Sequence, residues 1–266
     1  MIHSFQNLSH KTIPRALITN VLPTVDRDLV ADKSLNRLAT LNNQGYMLSY
    51  LHKISRAFVE FSSIAPGPVL DIGTAYGLVV LEALQRGASV IANDLEIQHL
   101  EDLHKRVPKS DLNRISYAVG QVPREVTFSQ NSLGAVLASG VLHYLSPPEF
   151  SLAIVNIASW LKPGGKFFLA TPTPYTNFYH KFFPTFQKSH KLNKQWPGYI
   201  EDASKILPSF FTNVPKTVYL IDEKFITTSL EENGLKIEKI GFFDIKLPTT
   251  QFNKQTNVLG VIAHKL

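Results

Sequence analysis

The sequence predicts an α/β fold: a doubly wound, mostly parallel seven-stranded sheet with a reversed C-terminal hairpin strand, N-terminal helices and an insertion after the fifth strand. From Val69 onward, short apolar or β-branched runs alternate with segments of helical periodicity, which indicates βαβ units with right-handed crossovers. Hydrophobic residues make up 44% and charged residues 18% of the 266 residues, as is typical of an ordered globular protein. The chain is long enough for one large domain with insertions.

Residues 1–65 are predicted to form an arm followed by helices. Pro14 and Pro23 lie in a stretch of weak periodicity, so about the first 27 residues are expected to be irregular. Over residues 28–63 the apolar spacing fits two helices with a break at the NNQG segment, residues 42–45. The Ala-Pro-Gly-Pro segment that follows marks the entry to a new unit.

Residues 66–173 are predicted to form the main part of the sheet. Strand-like runs rich in Val, Ile and Ala alternate there with helical patterns, so the strands should be parallel. The predicted strands are 69–72, 89–92, 115–118, 135–138 and 166–170, and the predicted helices are 77–85, 97–106 and 148–161.

The alternation stops at Thr171 and is replaced by an insertion, residues 174–220, rich in proline and aromatic residues. It resumes in the last part of the chain, residues 221–266, which returns to the core. There the pattern predicts a helix over 224–232, a stop at Asn233-Gly234, and strands over 236–243 and 258–264.

The turn after the first core strand reads DIGTAYG, residues 71–77. A strand that ends in a tight turn before a helix presents unpaired backbone N–H groups to a ligand at the carboxyl edge of the sheet. The dinucleotide pattern G-x-G-x-x-G is not met, because Ala75 replaces the middle glycine and Leu78 the third, and no lysine follows Gly77 as in a phosphate-binding loop. The loop therefore disfavours a pyrophosphate ligand, and with it an NAD-dependent oxidoreductase.

Three motifs occur together in an order and at spacings that resemble those of class I S-adenosylmethionine-dependent methyltransferases. They are the D-x-G-x-x-x-G turn, Asp94 at the end of the second core strand, and the LKPGG turn of residues 161–165. The resemblance covers about residues 68–173, and more weakly residues 224–266, where the helix and two strands look like the family's reversed hairpin. It implies that S-adenosyl-L-methionine is the cofactor and S-adenosyl-L-homocysteine the product.

The same resemblance implies where the cofactor is bound. The turn would approach its amino-acid tail, Asp94 would accept hydrogen bonds from both ribose hydroxyls, Gln121 and Val122 would flank the adenine, and Ser139 would face the methionine portion. The implied cofactor-binding residues are Asp71, Gly73, Thr74, Ala75, Gly77, Asp94, Leu95, Gln121, Val122 and Ser139. A solvated loop acid or a helix cap is the structural alternative for Asp94.

Two positions depart from the family pattern. Many members carry an acid where Gln121 stands, although a glutamine amide can still accept a hydrogen bond from the adenine amine. Many also carry Phe-Asp where Leu133 and Gly134 precede the fourth core strand, and the sequence offers no reason for this glycine.

A candidate catalytic residue, His143, follows the fourth core strand. An imidazole there could take a proton from a substrate hydroxyl, or it could simply pack against the edge of the sheet. Tyr175, Tyr179 and His180 in the insertion are alternative bases. Tyr46 and Tyr50, four residues apart in a predicted helix, would share one face, either as part of a lid over the cofactor or packed on the sheet.

The insertion supports more than one interpretation. Between residues 175 and 220 it has eleven aromatic residues and six lysines against two acids. Such a composition could grip single-stranded RNA, or it could form a cap that encloses an apolar small molecule with the lysines facing water, or it could cover one edge of the sheet. We favour the cap.

The resulting hypothesis is an enzyme that passes the sulfonium methyl of S-adenosylmethionine to an oxygen or nitrogen by in-line displacement, chiefly by aligning the two partners. A small-molecule acceptor is expected, with protein and RNA acceptors left open and the oligomeric state unknown. The alternative is a catalytically silent binding or regulatory module of the same fold.

Composition narrows the remaining classes. With no cysteine, the chain has neither disulfides nor thiolate chemistry, and no metal site is expected. The net charge of +6 is modest and by itself indicates neither nucleic-acid nor membrane binding. No apolar run reaches the length of a membrane span, so we expect a soluble, cytoplasmic protein.

Overall fold

The computed structural model describes residues 37–207, 211–245 and 256–266, together with the backbone of residues 31–32. The predicted irregular arm therefore lies outside the described residues. The strands are β1 (Ala31–Asp32), β2 (Arg37–Ala39), β3 (Tyr46–Leu48), β4 (Val69–Ile72), β5 (Val90–Asp94), β6 (Ile115–Val119), β7 (Leu133–Ser139), β8 (Leu161–Thr171), β9 (Tyr199–Ile200), β10 (Val218–Tyr219), β11 (Leu235–Phe243) and β12 (Val258–Lys265). The helices are α1 (Lys53–Ser62), α2 (Leu78–Gln85), α3 (Ile97–Arg106), α4 (Pro147–Trp160), α5 (Phe183–Lys191) and α6 (Glu223–Glu232).

The main sheet has seven strands in the order β11-β12-β8-β7-β4-β5-β6. Strands β8, β7, β4, β5 and β6 run parallel, whereas β12 is antiparallel to both of its neighbours. This confirms the predicted fold class, including the reversed hairpin strand. The order changes direction at β4, so the turns after β4, β5 and β7 meet at one edge, where open α/β sheets bind ligands.

Helices cover the sheet on both faces because its parallel strands are apolar on both sides. Helices α1, α2 and α3 bury residues such as Phe58, Leu84 and Leu103 against one face. On the other face, α4 and α6 bury side chains that include Phe150 and Ile226. The two packed layers hold the strand ends, and therefore the turns between them, in fixed positions.

Gly134, unexplained by the sequence, has a packing role in the structure. A Cβ atom at this position would lie 2.6 Å from both the backbone nitrogen and the carbonyl oxygen of Gly67. The Gly134 N–H also donates to the carbonyl oxygen of Pro68 over 2.8 Å, and the β7–β8 register shifts here. Glycine therefore lets the chain that enters β4 cross the start of β7 at close range.

The first of the two predicted N-terminal helices is wrong, and the second is confirmed only over Lys53–Ser62 (α1), because Tyr46–Leu48 form a strand. Strands β2 and β3 form an antiparallel hairpin, and its loop covers residues 40–45. Asn43 and Gly45 both have positive φ, and the Thr40 N–H donates to the carbonyl oxygen of Gly45 over 3.1 Å. The apolar residues matched a helical period, but these turn residues and the tertiary contacts of the hairpin decided the local structure.

The insertion builds a cap with its own apolar cluster. Helix α5 and the small sheet β9–β10 enclose buried aromatic side chains that include Phe178, Tyr179, Phe182 and Phe186. All six lysines between residues 175 and 220 are exposed. Within the part of the chain that the structure describes, no helix has the length and apolar character needed to cross a membrane.

Candidate active site

A cavity of about 580 Å³ lies at the carboxyl edge of the main sheet, beneath the β2–β3 hairpin and the cap. Residues from the turns after β4, β5, β6 and β7 line its inner wall. Ten of the eleven residues predicted from the sequence line this cavity: Asp71, Gly73, Thr74, Ala75, Asp94, Leu95, Gln121, Val122, Ser139 and His143. The fold therefore brings together residues that are up to 72 positions apart in the sequence.

Gly77 is the predicted residue that is not part of the cavity wall. It has a φ of 75° and is the residue before the first turn of α2. A Cβ atom here would overlap the side chain of Leu103 on α3. In the structure Gly77 thus lets α2 start close to α3.

The turn after β4 comes close to the cavity through Gly73. This residue has a φ of 70°, and a Cβ atom on it would lie 2.9 Å from a methyl group of Val141. Ala75, where the dinucleotide pattern G-x-G-x-x-G has its middle glycine, also adopts a left-handed conformation, with a φ of 46°. A side chain is unfavourable in this region, so Ala75 takes a backbone shape that glycine would take more readily.

Asp94 is buried at the end of β5, and loop N–H groups hold its carboxylate. Its Oδ2 accepts a hydrogen bond from the Ala75 N–H over 2.8 Å, and its Oδ1 accepts one from the Glu96 N–H over 2.9 Å. A carboxylate has about four lone-pair positions, so acceptor capacity is left for hydroxyl groups of a ligand. The bond to Glu96 shows that Asp94 also shapes the start of α3.

His99, which the sequence analysis did not single out, joins Asp94 to the hairpin. The side chain is fully buried, and its Nε2 accepts a hydrogen bond from the Leu41 N–H over 3.0 Å. In the neutral ring the proton is then on Nδ1, which lies 3.2 Å from Oδ1 of Asp94 without the alignment of a hydrogen bond. Tyr76 packs edge-on against His99, and its hydroxyl donates to the carbonyl oxygen of Ala39 over 2.9 Å.

Asp71 is a second buried acid in the same wall. Burial raises the pKa of Asp71 to about 7, the Thr74 side chain opposes this rise, and the nearby charge of Asp94 adds to it. A group with this pKa is partly protonated near neutrality. A positive charge that enters the cavity would therefore favour the ionised form of Asp71 and release its proton.

At the end of β6 an acid lies four residues after the position where the family pattern places one. Glu125 lines the cavity, and its Oε2 accepts a hydrogen bond from the Gln121 N–H over 2.7 Å. Asn93 fixes the same turn, because its amide donates to the carbonyl oxygens of Ala118 and Gly120. Glu125 is visible in the sequence as an acid after β6, but the family pattern places its acid at position 121, so the spacing did not mark Glu125 as a site residue.

His52 is another site residue that the sequence analysis missed. Its Nε2 lies 2.8 Å from the Ser139 hydroxyl, and the ring stacks on Phe243. Its Nδ1 accepts hydrogen bonds from the N–H groups of Ile54 and Ser55 and so caps α1. The apolar spacing places His52 inside the second predicted helix and not at the start of one, so the sequence pattern gives no sign of its capping role.

His143 lies in the cavity wall after β7 and is 5% exposed. Its Nδ1 has no hydrogen-bond partner among the described residues. Burial lowers the pKa of His143 to about 3, so the ring is neutral at physiological pH. A neutral imidazole in this position can accept one hydrogen bond from a ligand or donate one to it.

The alternative bases in the insertion separate into two groups. Tyr179 is buried and lines the cavity, where burial raises its pKa well above the usual value. Tyr175 and His180 are exposed and are not part of the cavity wall. Of the candidate bases, His143 and Tyr179 therefore line the cavity.

The hairpin and the cap meet over the outer half of the cavity. Tyr46 lies in β3 and Tyr50 in the bend that follows, so these residues do not share a helical face, although both line the cavity. The Tyr46 hydroxyl accepts a hydrogen bond from the Asn213 N–H over 3.2 Å, and its ring packs edge-on against Phe211. The guanidinium of Arg37 lies 3.9 Å from the centre of the Tyr46 ring.

Residues 69–165 match the family model described as a methyltransferase domain. An uncharacterized methyltransferase of Mycobacterium bovis is 30% identical over 98 residues, which are 37% of this chain and 37% of that protein. A highly reducing polyketide synthase of Cordyceps militaris is 26% identical over 203 residues, which are 71% of this chain and 7% of that protein. The chain thus matches well under half the length of these curated relatives.

The fold also matches a solved structure, a SAM-dependent methyltransferase from Methanosarcina mazei. The TM-score is 0.59 at 18% identity, over 81% of this chain and 98% of that chain. The fold is therefore that of a SAM-dependent methyltransferase, and residues 69–165 match a methyltransferase domain, in agreement with the predicted family.

Proposed function

We propose that this chain transfers the methyl group of S-adenosylmethionine to an oxygen or nitrogen atom of a small molecule. The observation that carries the proposal is the single cavity, which joins the predicted cofactor residues at the sheet edge to an outer half closed by the hairpin and cap. Ligand pockets of enzymes commonly have this enclosed form, with a few polar groups in an apolar wall.

The cofactor would lie along the inner wall. Asp94 would accept from the ribose hydroxyls with its remaining lone pairs, and Gln121 and Val122 would flank the adenine. Gly73 and Ser139 would lie beside the amino-acid tail. The wall offers backbone N–H groups and two buried acids, a set that suits a ligand with hydroxyls and a positive charge better than a pyrophosphate.

When bound, S-adenosylmethionine supplies a methyl group already activated by its positive sulfur. The chain's task is to hold the acceptor in line and to keep water out. His143 would accept a hydrogen bond from the acceptor's O–H or N–H and hold its lone pair toward the methyl group. Because its pKa is lowered to about 3, His143 is a weak base, which suits removal of the proton only as the new bond forms.

Burial in the cap favours a small acceptor over RNA. Base stacking requires exposed aromatic faces, whereas Phe178, Tyr179 and Phe186 are buried in the cluster of the cap. The lysines face water away from this cluster, as expected if the cap encloses an apolar ligand. A small-molecule acceptor fits these observations without any rearrangement of the cap.

Calorimetry followed by an activity screen tests the proposal. Titration with S-adenosylmethionine and S-adenosylhomocysteine should give saturable heat. The absence of binding by both ligands would overturn the proposal. Incubation with methyl-labelled cofactor and a cell extract separated by size should then transfer label to the small-molecule fraction. Label found only in protein or RNA would contradict the acceptor class, and cofactor binding with no transfer to any fraction would favour the silent module.

A further inference from the structure

Both ring nitrogens of His52 are engaged, and their partners fix where its proton is. The N–H groups of Ile54 and Ser55 point at Nδ1 from 3.2 and 3.4 Å, so Nδ1 must accept. Burial lowers the pKa of His52 to about 4, which keeps the ring neutral. A neutral ring that accepts at Nδ1 carries its proton on Nε2.

The direction of the next hydrogen bond follows from this tautomer. Nε2 of His52 lies 2.8 Å from the Ser139 hydroxyl and donates to it. A hydroxyl oxygen that accepts from a histidine keeps its own proton for another partner. Ser139 is part of the cavity wall, so it can offer this proton to a ligand inside.

Sheet register places Ser139 next to the glycine turn. Ile72 at the end of β4 pairs with Ala138 of β7, so the next residues, Gly73 and Ser139, lie side by side at the edge. Gly73 lines the same cavity as Ser139. A ligand group that packs on Gly73 is therefore within reach of the Ser139 hydroxyl.

We propose that His52 is a positioning residue, which holds the Ser139 hydroxyl as a hydrogen-bond donor to the carboxylate of the cofactor's amino-acid tail. This inference rests on the proposed function. It deepens that function by assigning the N-cap residue of α1, outside the matched methyltransferase segment, to cofactor recognition. The carboxylate is the tail group that requires a donor, and Ser139 is oriented to donate.

Two variants separate this role from the helix cap. His52→Asn keeps an effective N-cap for α1, because asparagine is a favoured capping residue, but its side chain is too short to reach Ser139. Ser139→Ala removes the hydroxyl and leaves His52 and its cap in place. Ser132→Ala is the matched control, because the Ser132 hydroxyl donates to the carbonyl oxygen of Ser129 far from the cavity.

The probes are S-adenosylhomocysteine and 5′-methylthioadenosine, which lacks the amino-acid tail, and the measurement is the dissociation constant by calorimetry. Each variant should bind S-adenosylhomocysteine about tenfold or more weakly, as expected for a hydrogen bond to a charged group, with methylthioadenosine unchanged. The double variant should bind S-adenosylhomocysteine no more weakly than the single variant with the larger loss, because both substitutions remove the same interaction.

Several results would overturn the inference. Equal losses for both probes would show a general disturbance of the site, and unchanged affinity for S-adenosylhomocysteine would show that the hydroxyl does not contact the tail. Losses that add in the double variant would show that the two residues act independently. If His52→Asn does not fold, Ser139→Ala still overturns the inference when it binds S-adenosylhomocysteine as tightly as the wild-type protein. A wild-type protein that binds neither probe refutes the proposed function itself.

Discussion

The two halves of the cavity are built by different means. The inner half consists of turns at the ends of β4, β5, β6 and β7, and backbone groups with short side chains define its shape. The outer half consists of the β2–β3 hairpin and the cap, which meet through the Tyr46 hydroxyl and aromatic rings. The sheet therefore supplies the half in which we propose that the cofactor lies, whereas the hairpin and the cap shape the other half.

The largest expected effect concerns Asp94 in the inner half. Asp94→Ala removes the acceptor for ribose hydroxyls and also the anchor of the Ala75 and Glu96 N–H groups. Loss of hydrogen bonds to a charged group costs about 1.5–3 kcal/mol, which weakens binding about 10- to 150-fold. Calorimetry with S-adenosylhomocysteine measures this loss of affinity, and Glu231→Ala on the exposed face of α6 is the control. Wild-type affinity in folded Asp94→Ala would refute the ribose assignment.

The pH dependence of cofactor binding should also lie in the inner half. Asp71 has a pKa of about 7 because of burial, so below this pH it carries a proton in the empty site. The positive sulfur of S-adenosylmethionine favours the ionised form, and binding should release that proton. Affinity should therefore rise as pH rises through 7, by at most about tenfold for each pH unit below the pKa.

S-adenosylhomocysteine provides the matched ligand for this test, because it has the same groups without the positive sulfur. Titrations of both ligands between about pH 6 and 8 should show a steeper rise for S-adenosylmethionine. In Asp71→Asn the two ligands should have parallel pH profiles. Parallel profiles already in the wild-type protein would show that Asp71 does not sense the sulfonium.

Much of the inner half could be predicted from the sequence because its determinants are local. The D-x-G-x-x-x-G turn, the acid that ends β5 and the strand periodicity each occupy a few consecutive residues, and the parallel sheet brings their ends together. His52, His99 and Glu125 could not be predicted in this way. Each contributes through a contact set by tertiary packing, with His99 reaching Leu41 across 58 positions.

The N-terminal hairpin shows the opposite case. Its apolar residues are spaced as in a helix, so periodicity alone favoured the wrong element. Asn43 and Gly45 in left-handed or positive-φ conformations, and the contacts of Ala39 and Leu41 with Tyr76 and His99, determine the strands instead. The sequence therefore pointed to Tyr46, Tyr50 and the insertion as parts of the outer half, but not to the hairpin that places the two tyrosines there.

His99 lies between the two halves, and two variants should separate its contacts. Asparagine places its amide near the position of Nδ1, so His99→Asn keeps a donor toward Asp94 and loses the acceptor for the Leu41 N–H. Glutamine reaches the position of Nε2, so His99→Gln keeps that acceptor and loses the donor. One hydrogen bond is worth about 1 kcal/mol, or roughly fivefold.

Hydrogen exchange and calorimetry measure the two effects separately. His99→Asn should speed amide exchange at Leu41 about fivefold with little change in affinity for S-adenosylhomocysteine. His99→Gln should leave exchange at Leu41 nearly unchanged and lower that affinity by less than fivefold, because the contact with Asp94 lacks the alignment of a hydrogen bond. Equal effects of both variants on both measurements would show that His99 acts only through its packing. In that case the hairpin and Asp94 are not coupled through this ring.

The smallest expected effect concerns Ala75, the residue that stands where the dinucleotide pattern has its middle glycine. Its φ of 46° is unfavourable for a side chain, and a non-glycine residue there costs on the order of 1 kcal/mol. Ala75→Gly should therefore raise the free energy of unfolding by up to about 1 kcal/mol, reduced by the added entropy of the unfolded chain. The backbone N–H of residue 75 can still donate to Asp94 in this variant. Ala57→Gly within α1 is the matched control and should lower the free energy of unfolding by about 1 kcal/mol. Urea unfolding measures the free energy of unfolding of both variants. Equal destabilisation by the two substitutions would show that the loop holds Ala75 without strain, so that the turn of the inner half tolerates a side chain there.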